Sequence, residues 1–314
     1  MLSRRLLRIK VVKSLYAYRQ NGEGPIAPAV KNLEFSIDKS YDLYFQMLWL
    51  IVDVARYARG RQEIARRKQL PTPEDLNPNT KFVDNALIAR IETDDKICAY
   101  METRSLGWTQ YPGLIKHLYG RLVESDFYKE YMNSGTHGFR EDVKLVRQFY
   151  CAPLVEECEL LEDVLEEQSL MWNDDLGFAL TMVVRTLEDC RASQEDIPVL
   201  PKFKYPQEDA AFARDLLAFA IEDFDENLKL VERFTANWDV ERIAFIDNVI
   251  MCTAISEMKH FDQIPVRVTL DEYIEIVKYY STPGSSLFIN GILDKIKNYL
   301  VQEGIVRKQG RGLL

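Results

Sequence analysis

Residues Ile264–Ile296 read IPVRVTLDEYIEIVKYYSTPGSSLFINGILDKI, a helix, a punctuated turn and a second helix. Thr269 followed by Glu272 has the capping-box spacing, in which each side chain satisfies a backbone N–H of the other, and predicts a helix start there. Leu270, Tyr273, Ile274, Val277 and Tyr280 recur at helical spacing and form one apolar stripe. Ser281-Thr282-Pro283-Gly284 ends that helix, since proline cannot continue it and glycine tolerates the turn. Ile289, Ile292, Ile296 and Leu300 give the next helix its own inward face, leaving Ser286, Phe288 and Asn290 near its start and Phe288 and Asn290 off the stripe. An aromatic ring and an amide beside unsatisfied helix N–H groups suit an anion or an unstacked base; the alternative is that Phe288 packs between helices.

The same period runs outward through the chain. Leu7, Val11, Leu15 and Tyr18 give the first helix a buried stripe, which Asn21-Gly22-Glu23-Gly24-Pro25 stops. A long helix is expected from about Ser36 to Lys68, with further helical segments near 81–104, 111–133, 139–169, 171–191 and 208–234, and another leading through Met258. Alternating period-two runs bounded by turn signals are missing, so the class is all-α, helices packed on helices.

With 314 residues, 47% of them hydrophobic, the chain can bury a substantial core. The longest apolar run, Tyr44–Ala55, is interrupted by Asp53 and falls short of a membrane span, so no membrane partner is expected. Five cysteines without a CxxC pair and no signal-peptide pattern point to a reduced, cytoplasmic protein. Three isolated histidines form no metal-ligand cluster. The phosphate-loop, GxSxG and HExxH motifs are missing, so neither an enzymatic reaction nor a cofactor is expected. Cys151 and Cys158, seven apart, are expected on one face of a single helix, too far apart for a disulfide.

A net charge of −9 argues against indiscriminate nucleic-acid binding, but the charge is segregated. Residues 1–19 carry Arg4, Arg5, Arg8, Lys10, Lys13 and Arg19 with no acid among them. A second basic run spans Arg56 to Lys68, a third includes Arg307, Lys308 and Arg311, and an acidic face extends from Glu156 to Glu167.

These residues carry a resemblance to the NusB family of bacterial transcription antitermination factors. Ser3-Arg4-Arg5 and Arg8 leading into Ser14-Leu15-Tyr16-Ala17-Tyr18 are similar to that family's arginine-rich first helix. Trp238, Glu241-Arg242, Asp247, Ala254 and Glu257 follow its central helix, and Ile264-Pro265 through Phe288-Ile289-Asn290-Gly291-Ile292-Leu293-Asp294 follow its C-terminal signature. The resemblance implies a two-lobed helical bundle binding boxA-type RNA together with a small-subunit ribosomal protein acting as NusE, within the transcription elongation complex. Transferred by position, RNA contacts fall on Arg4, Arg5, Arg8, Tyr16 and Phe288, with Ser286 and Asn290 adjacent; partner contacts fall on Asp247 and Glu241. The chain departs from the pattern at Asn248, Cys252, Ser256 and the Thr282–Ser285 turn. It also carries about residues 21–207 as an insertion too hydrophobic to be a disordered linker. This divides the chain into an enlarged N-terminal lobe, 1–236, and a C-terminal lobe, 237–314. A helical interaction scaffold with weakened RNA binding is the alternative, because fold and function are separable.

Overall fold

The computed structural model describes residues 2–22, 24–235 and 243–313. In chain order the helices are α1 (Arg4–Gln20), α2 (Ile26–Arg66), α3 (Pro73–Leu76), α4 (Ala86–Thr93), α5 (Asp95–Thr103), α6 (Pro112–Glu124), α7 (Asp126–Asn133) and α8 (Phe139–Cys151). They continue with α9 (Pro153–Glu156), α10 (Glu159–Gln168), α11 (Leu176–Asp189), α12 (Pro206–Glu222), α13 (Phe224–Thr235), α14 (Phe245–His260), α15 (Val266–Tyr280) and α16 (Ser285–Gln302). Among the described residues the only extended pairing is an isolated bridge between Leu2 and Phe203, so the all-α class holds. No helix among them is long and apolar enough to cross a membrane.

The chain divides into two compact units: residues 38–201, and residues 2–37 together with 202–314. The expected lobe boundary at 236 and 237 lies outside the described residues. Each unit is organised around a helix that is apolar on nearly all sides, the pattern that requires burial in a core rather than at a surface. In the first unit this is α2, where Leu43, Met47, Leu48, Leu50, Ile51 and Val54 are fully buried. Two aromatic polar groups that approach it are hydrogen-bonded: Trp108 Nε1 donates to the Gln46 carbonyl at 2.9 Å, and the Tyr150 hydroxyl donates to the Met47 carbonyl at 2.7 Å. In the second unit it is α14, whose residues Val249 through Met258 are all buried and which packs against α1, α12, α13, α15 and α16.

Several expected helices are longer or shorter than their periodicity suggests. α2 begins at Ile26 rather than near Ser36, because Pro28 falls in the first turn, where its missing N–H has no intrahelical partner to lose. The 81–104 segment breaks at Asp94, whose carboxylate accepts from the N–H groups of Lys96 and Ile97 at 3.0 Å and starts α5 afresh. Ser125 does the same for α7. The 139–169 segment is three helices, interrupted at Pro153 and again before Glu159. Cys151 therefore ends α8 and Cys158 precedes α10, correcting their placement on one helix; all five cysteines are free thiols.

The capping box also needs correction. α15 starts at Val266, after Pro265, so Thr269 lies a full turn inside the helix. Thr269 is fully buried and its hydroxyl donates to Glu257 Oε1 at 2.9 Å, while Glu272 accepts from Arg5. Partners brought in by tertiary packing replace the reciprocal bonds that local spacing offers. The buried stripe of α15 is accordingly rotated to Thr269, Tyr273, Ile276 and Val277. α16 keeps its expected face, with Ile289, Ile292, Ile296 and Leu300 buried together with Leu293.

Candidate nucleic-acid interface

Ser3 caps α1 by accepting from the Leu6 N–H at 3.2 Å, which sets Arg4 and Arg5 in the first turn and Arg8 one turn on from Arg4. The three arginines line one cleft of about 640 Å³ with Ile264, Pro265, Val268 and Arg311. Its walls are partly apolar and its rim carries cations.

The arginines differ in what they can offer. Arg8 is 3% exposed, and its Nε and Nη2 donate to the two carboxylate oxygens of Glu257 at 2.7 Å each. Glu257, itself fully buried, also accepts from Thr269 and from the Tyr273 hydroxyl at 3.2 Å. Burial works against the Arg8 charge, but attraction and hydrogen bonding to Glu257 outweigh it and raise its pKa above the ordinary value. Arg8 thus pins α1 onto α14 and presents no free head to solvent. Two of its donors face a buried carboxylate, which gives Arg8 a structural role between α1 and α14, and its Nη1 lies 3.8 Å from Glu272.

Arg5, half exposed, donates from Nε and Nη2 to Glu272 at 2.7 and 3.0 Å, and that hydrogen bond is the main cause of its raised pKa. A guanidinium has five N–H donors, so three remain. Arg4 donates to Asp209 at 3.1 Å and lies 5.1 Å from the Phe212 ring centroid, with its head part-exposed.

Tyr16 sits three turns along α1, about 16 Å from Arg5 at 1.5 Å rise per residue. Its ring is part-exposed and 5.3 Å from that of Phe245, at the start of α14. Ser286 and Phe288 are half-buried in the first turns of α16, and Asn290 is exposed. None of these four lines the arginine cleft. The arginines are therefore gathered at one end of α1, and Tyr16 and Phe245 at the other.

Asp247, expected on a partner-facing surface, is buried in the first turn of α14 at 4% exposure. Burial raises its pKa, while the hydroxyls of Ser281 and Ser285 are near enough to offset part of the shift. Neither Asp247 Oδ1 nor Ser281 Oγ completes a hydrogen bond of good geometry, so this buried carboxylate is incompletely satisfied. Glu241 lies outside the described residues.

Arg311, in the arginine cleft, and Phe245, beside Tyr16, are two residues that periodicity did not single out. The C-terminal segment is held by Lys308, whose ammonium donates to the carbonyls of Met258 and Phe261 at 2.9 Å, and by a 3.0 Å bond from Gln309 N to Asp262 O. Its basic residues were visible in sequence, but not the cleft that they join. Among the described residues no group of acidic, histidine or cysteine side chains could hold a metal ion.

The charge balance also changes once the units are separated. Residues 38–201 hold 29 acidic and 19 basic residues, leaving 20 and 21 for the unit that carries the cleft. The net negative charge of the chain thus belongs to the 38–201 unit.

Comparison with known proteins places the second unit. The NusB family model matches residues 178–298, from within α11 into α16, and leaves α1 outside the match. The chain is 39% identical over 103 residues to the transcription antitermination protein NusB of Salinibacter ruber, covering 33% of this chain and 64% of that protein. It is 40% identical over 106 residues to NusB of Chloroherpeton thalassium, covering 32% and 50%. With NusB of Thermodesulfovibrio yellowstonii it shares 35% identity over 124 residues, covering 38% of this chain and 82% of that protein. The chain thus spans between half and two thirds of the length of the first two relatives. No solved structure matches. The central α14, the α15–turn–α16 signature packed against it and a relative matched over most of its own length lead to one conclusion: the chain belongs to the NusB family.

Proposed function

We propose that this chain is a non-enzymatic, RNA-binding transcription antitermination factor. It acts on boxA-type single-stranded RNA with a small-subunit ribosomal protein in the role of NusE, in the elongation complex transcribing ribosomal RNA. The observation that carries this reading is the cleft where Arg4, Arg5 and Arg311 surround an apolar wall on the charge-balanced unit. Arg4, Arg5 and Arg311 supply phosphate contacts, which position a strand, while Tyr16 and Phe288 offer ring faces to unstacked bases and Ser286 and Asn290 offer hydrogen bonds to base edges. Each stacked base contributes about 1–3 kcal/mol. Arg8 positions α1 for this task. Asp247 supports the partner surface from beneath rather than touching the ribosomal protein, and Glu241 remains the direct acidic contact.

The pairing of Arg4 with Asp209 and Arg5 with Glu272 favours a second reading, a protein-interaction scaffold with reduced RNA affinity. We place it second because part-exposed ion pairs contribute only about 0–1 kcal/mol, so an incoming phosphate can share or displace those carboxylates.

Titration with a boxA-type RNA across salt concentrations, with and without the ribosomal protein, tests the proposal. Arg4→Glu/Arg5→Glu should bind more weakly and lower the magnitude of the salt slope by about 1.4, from 0.7 per single-strand phosphate contact. Unchanged affinity and slope in that variant would remove the arginine cleft from the reading.

A further inference from the structure

α8 carries Arg140, Lys144 and Arg147 at spacings of four and three, which places them on one face in a row about 10 Å long. All three are exposed and, with Arg191 from the segment after α11, line a second cleft of about 620 Å³ within the 38–201 unit. Arg140 and Lys144 make no ion pair or hydrogen bond among the described residues, so their charges are available. Arg147 is paired with Glu188 at 2.9 Å. Arg90 braces the rim: its Nη1 donates to the Arg191 carbonyl at 2.8 Å and its guanidinium lies 4.4 Å from the centroid of Phe139, a half-buried ring in the cleft wall.

The lining holds four cations against two carboxylates, Glu141 and Glu188. Burial pushes the Cys190 thiol up to about 11, so the cleft wall gains no thiolate charge at neutral pH. This excess lies in a unit that is acidic overall, where a local cationic surface is the exception. The longer basic run on α2 makes a weaker candidate, because Arg56 and Arg59 share Glu92 and Arg56 also meets Asp53. A small-molecule site would enclose most of its ligand among apolar side chains with few polar groups; here the cations stand in solvent, the arrangement that tracks a polyanion.

We infer that the Arg140–Lys144–Arg147–Arg191 cleft is a second RNA contact, taking the phosphodiester backbone of a single strand beside the Phe139 ring. The inference rests on the reading of the chain as an RNA-binding protein, and its test separates the two. The full chain is titrated with a fluorescent single-stranded RNA hexanucleotide at low salt, and the number of sites is counted for three proteins: the parent, Arg140→Gln/Lys144→Gln, and Arg4→Glu/Arg5→Glu. The expected result is two sites in the parent and one in each variant. The cleft variant should keep its melting temperature, since neither side chain pairs with another, and Arg140→Lys/Lys144→Arg should restore two sites. One site in the parent that survives the cleft variant and is lost from the α1 variant overturns the second contact and leaves the first standing. One site lost from the cleft variant and kept by the α1 variant supports this inference and removes the α1 surface. No binding by the parent overturns both.

Discussion

Replacing Arg8 with methionine removes two of the four hydrogen bonds that the Glu257 carboxylate accepts among the described residues, and with them the one cation that pairs with it there at hydrogen-bond distance. With Arg8 at 3% exposure and Glu257 fully buried, the remaining charge cannot be taken up by water. Breaking one side of such a pair costs about 3–5 kcal/mol, a large fraction of the roughly 5–15 kcal/mol that holds a domain folded. The double variant Arg8→Met/Glu257→Met has no stranded charge, and it loses less only where the hydroxyls that faced Glu257 find other acceptors. It leaves the Thr269 and Tyr273 hydroxyls without their acceptor, a cost of about 1–3 kcal/mol each unless they find backbone carbonyls. Tryptophan fluorescence is a poor reporter, because three of the four tryptophans, Trp49, Trp108 and Trp172, belong to the 38–201 unit and dominate the signal. Hydrogen exchange in peptides from α1 and α14 reads the right region, and a loss of about 4 kcal/mol lowers protection there by nearly three orders of magnitude. A single variant that loses less than tenfold, as an exposed pair would, refutes the argument that this ion pair is buried and joins α1 to α14.

Asp247→Asn should stabilise the protein at neutral pH. The carboxyl pKa is raised in the folded state, so the native form holds its proton more tightly and stability falls as pH rises through the window above the unfolded value of about 3.9. The gain of the asparagine variant should therefore be present at pH 7 and vanish below that window in denaturation curves; a gain independent of pH would refute it. Gly312→Ala would put a Cβ 1.9 Å from the Asp262 carbonyl oxygen, so the C-terminal turn must shift. Faster tryptic cleavage at Arg307 and Arg311, with a salt slope smaller in magnitude by about 0.7 for RNA, is the expected readout. Gly284→Ala forces a side chain onto φ +96° at the start of α16 and should cost about 1–2 kcal/mol, seen as a lowered midpoint for the unit containing α16.

Helical class, the Pro283-Gly284 break and the inward face of α16 were legible in the sequence because each depends on local geometry: a 3.6-residue period, a missing N–H, a residue free to take positive φ. Membership of the NusB family was legible for a similar reason, in the unbroken signature from Ile264 to Asp294. Segment ends were less so, since Asp94 and Ser125 look like ordinary mid-helix polar residues until their side chains are seen to cap the next helix.

What only the tertiary structure decided is where the charges went. Arg4, Arg5 and Arg8 look alike in the first helix, yet Arg8 meets Glu257 across 249 residues and is lost to the surface, while Arg5 keeps a half-exposed fork against Glu272. Thr269 and Glu272 had the spacing of a cap and serve instead as partners for Glu257 and Arg5. Arg311 enters the cleft only because Lys308 and Gln309 anchor the C-terminal segment to the end of α14 and the turn after it. Helical periodicity tells which face of a segment is apolar, but an ion pair is chosen by which faces meet, and that information is stored in the packing of distant helices rather than in any one stretch of residues.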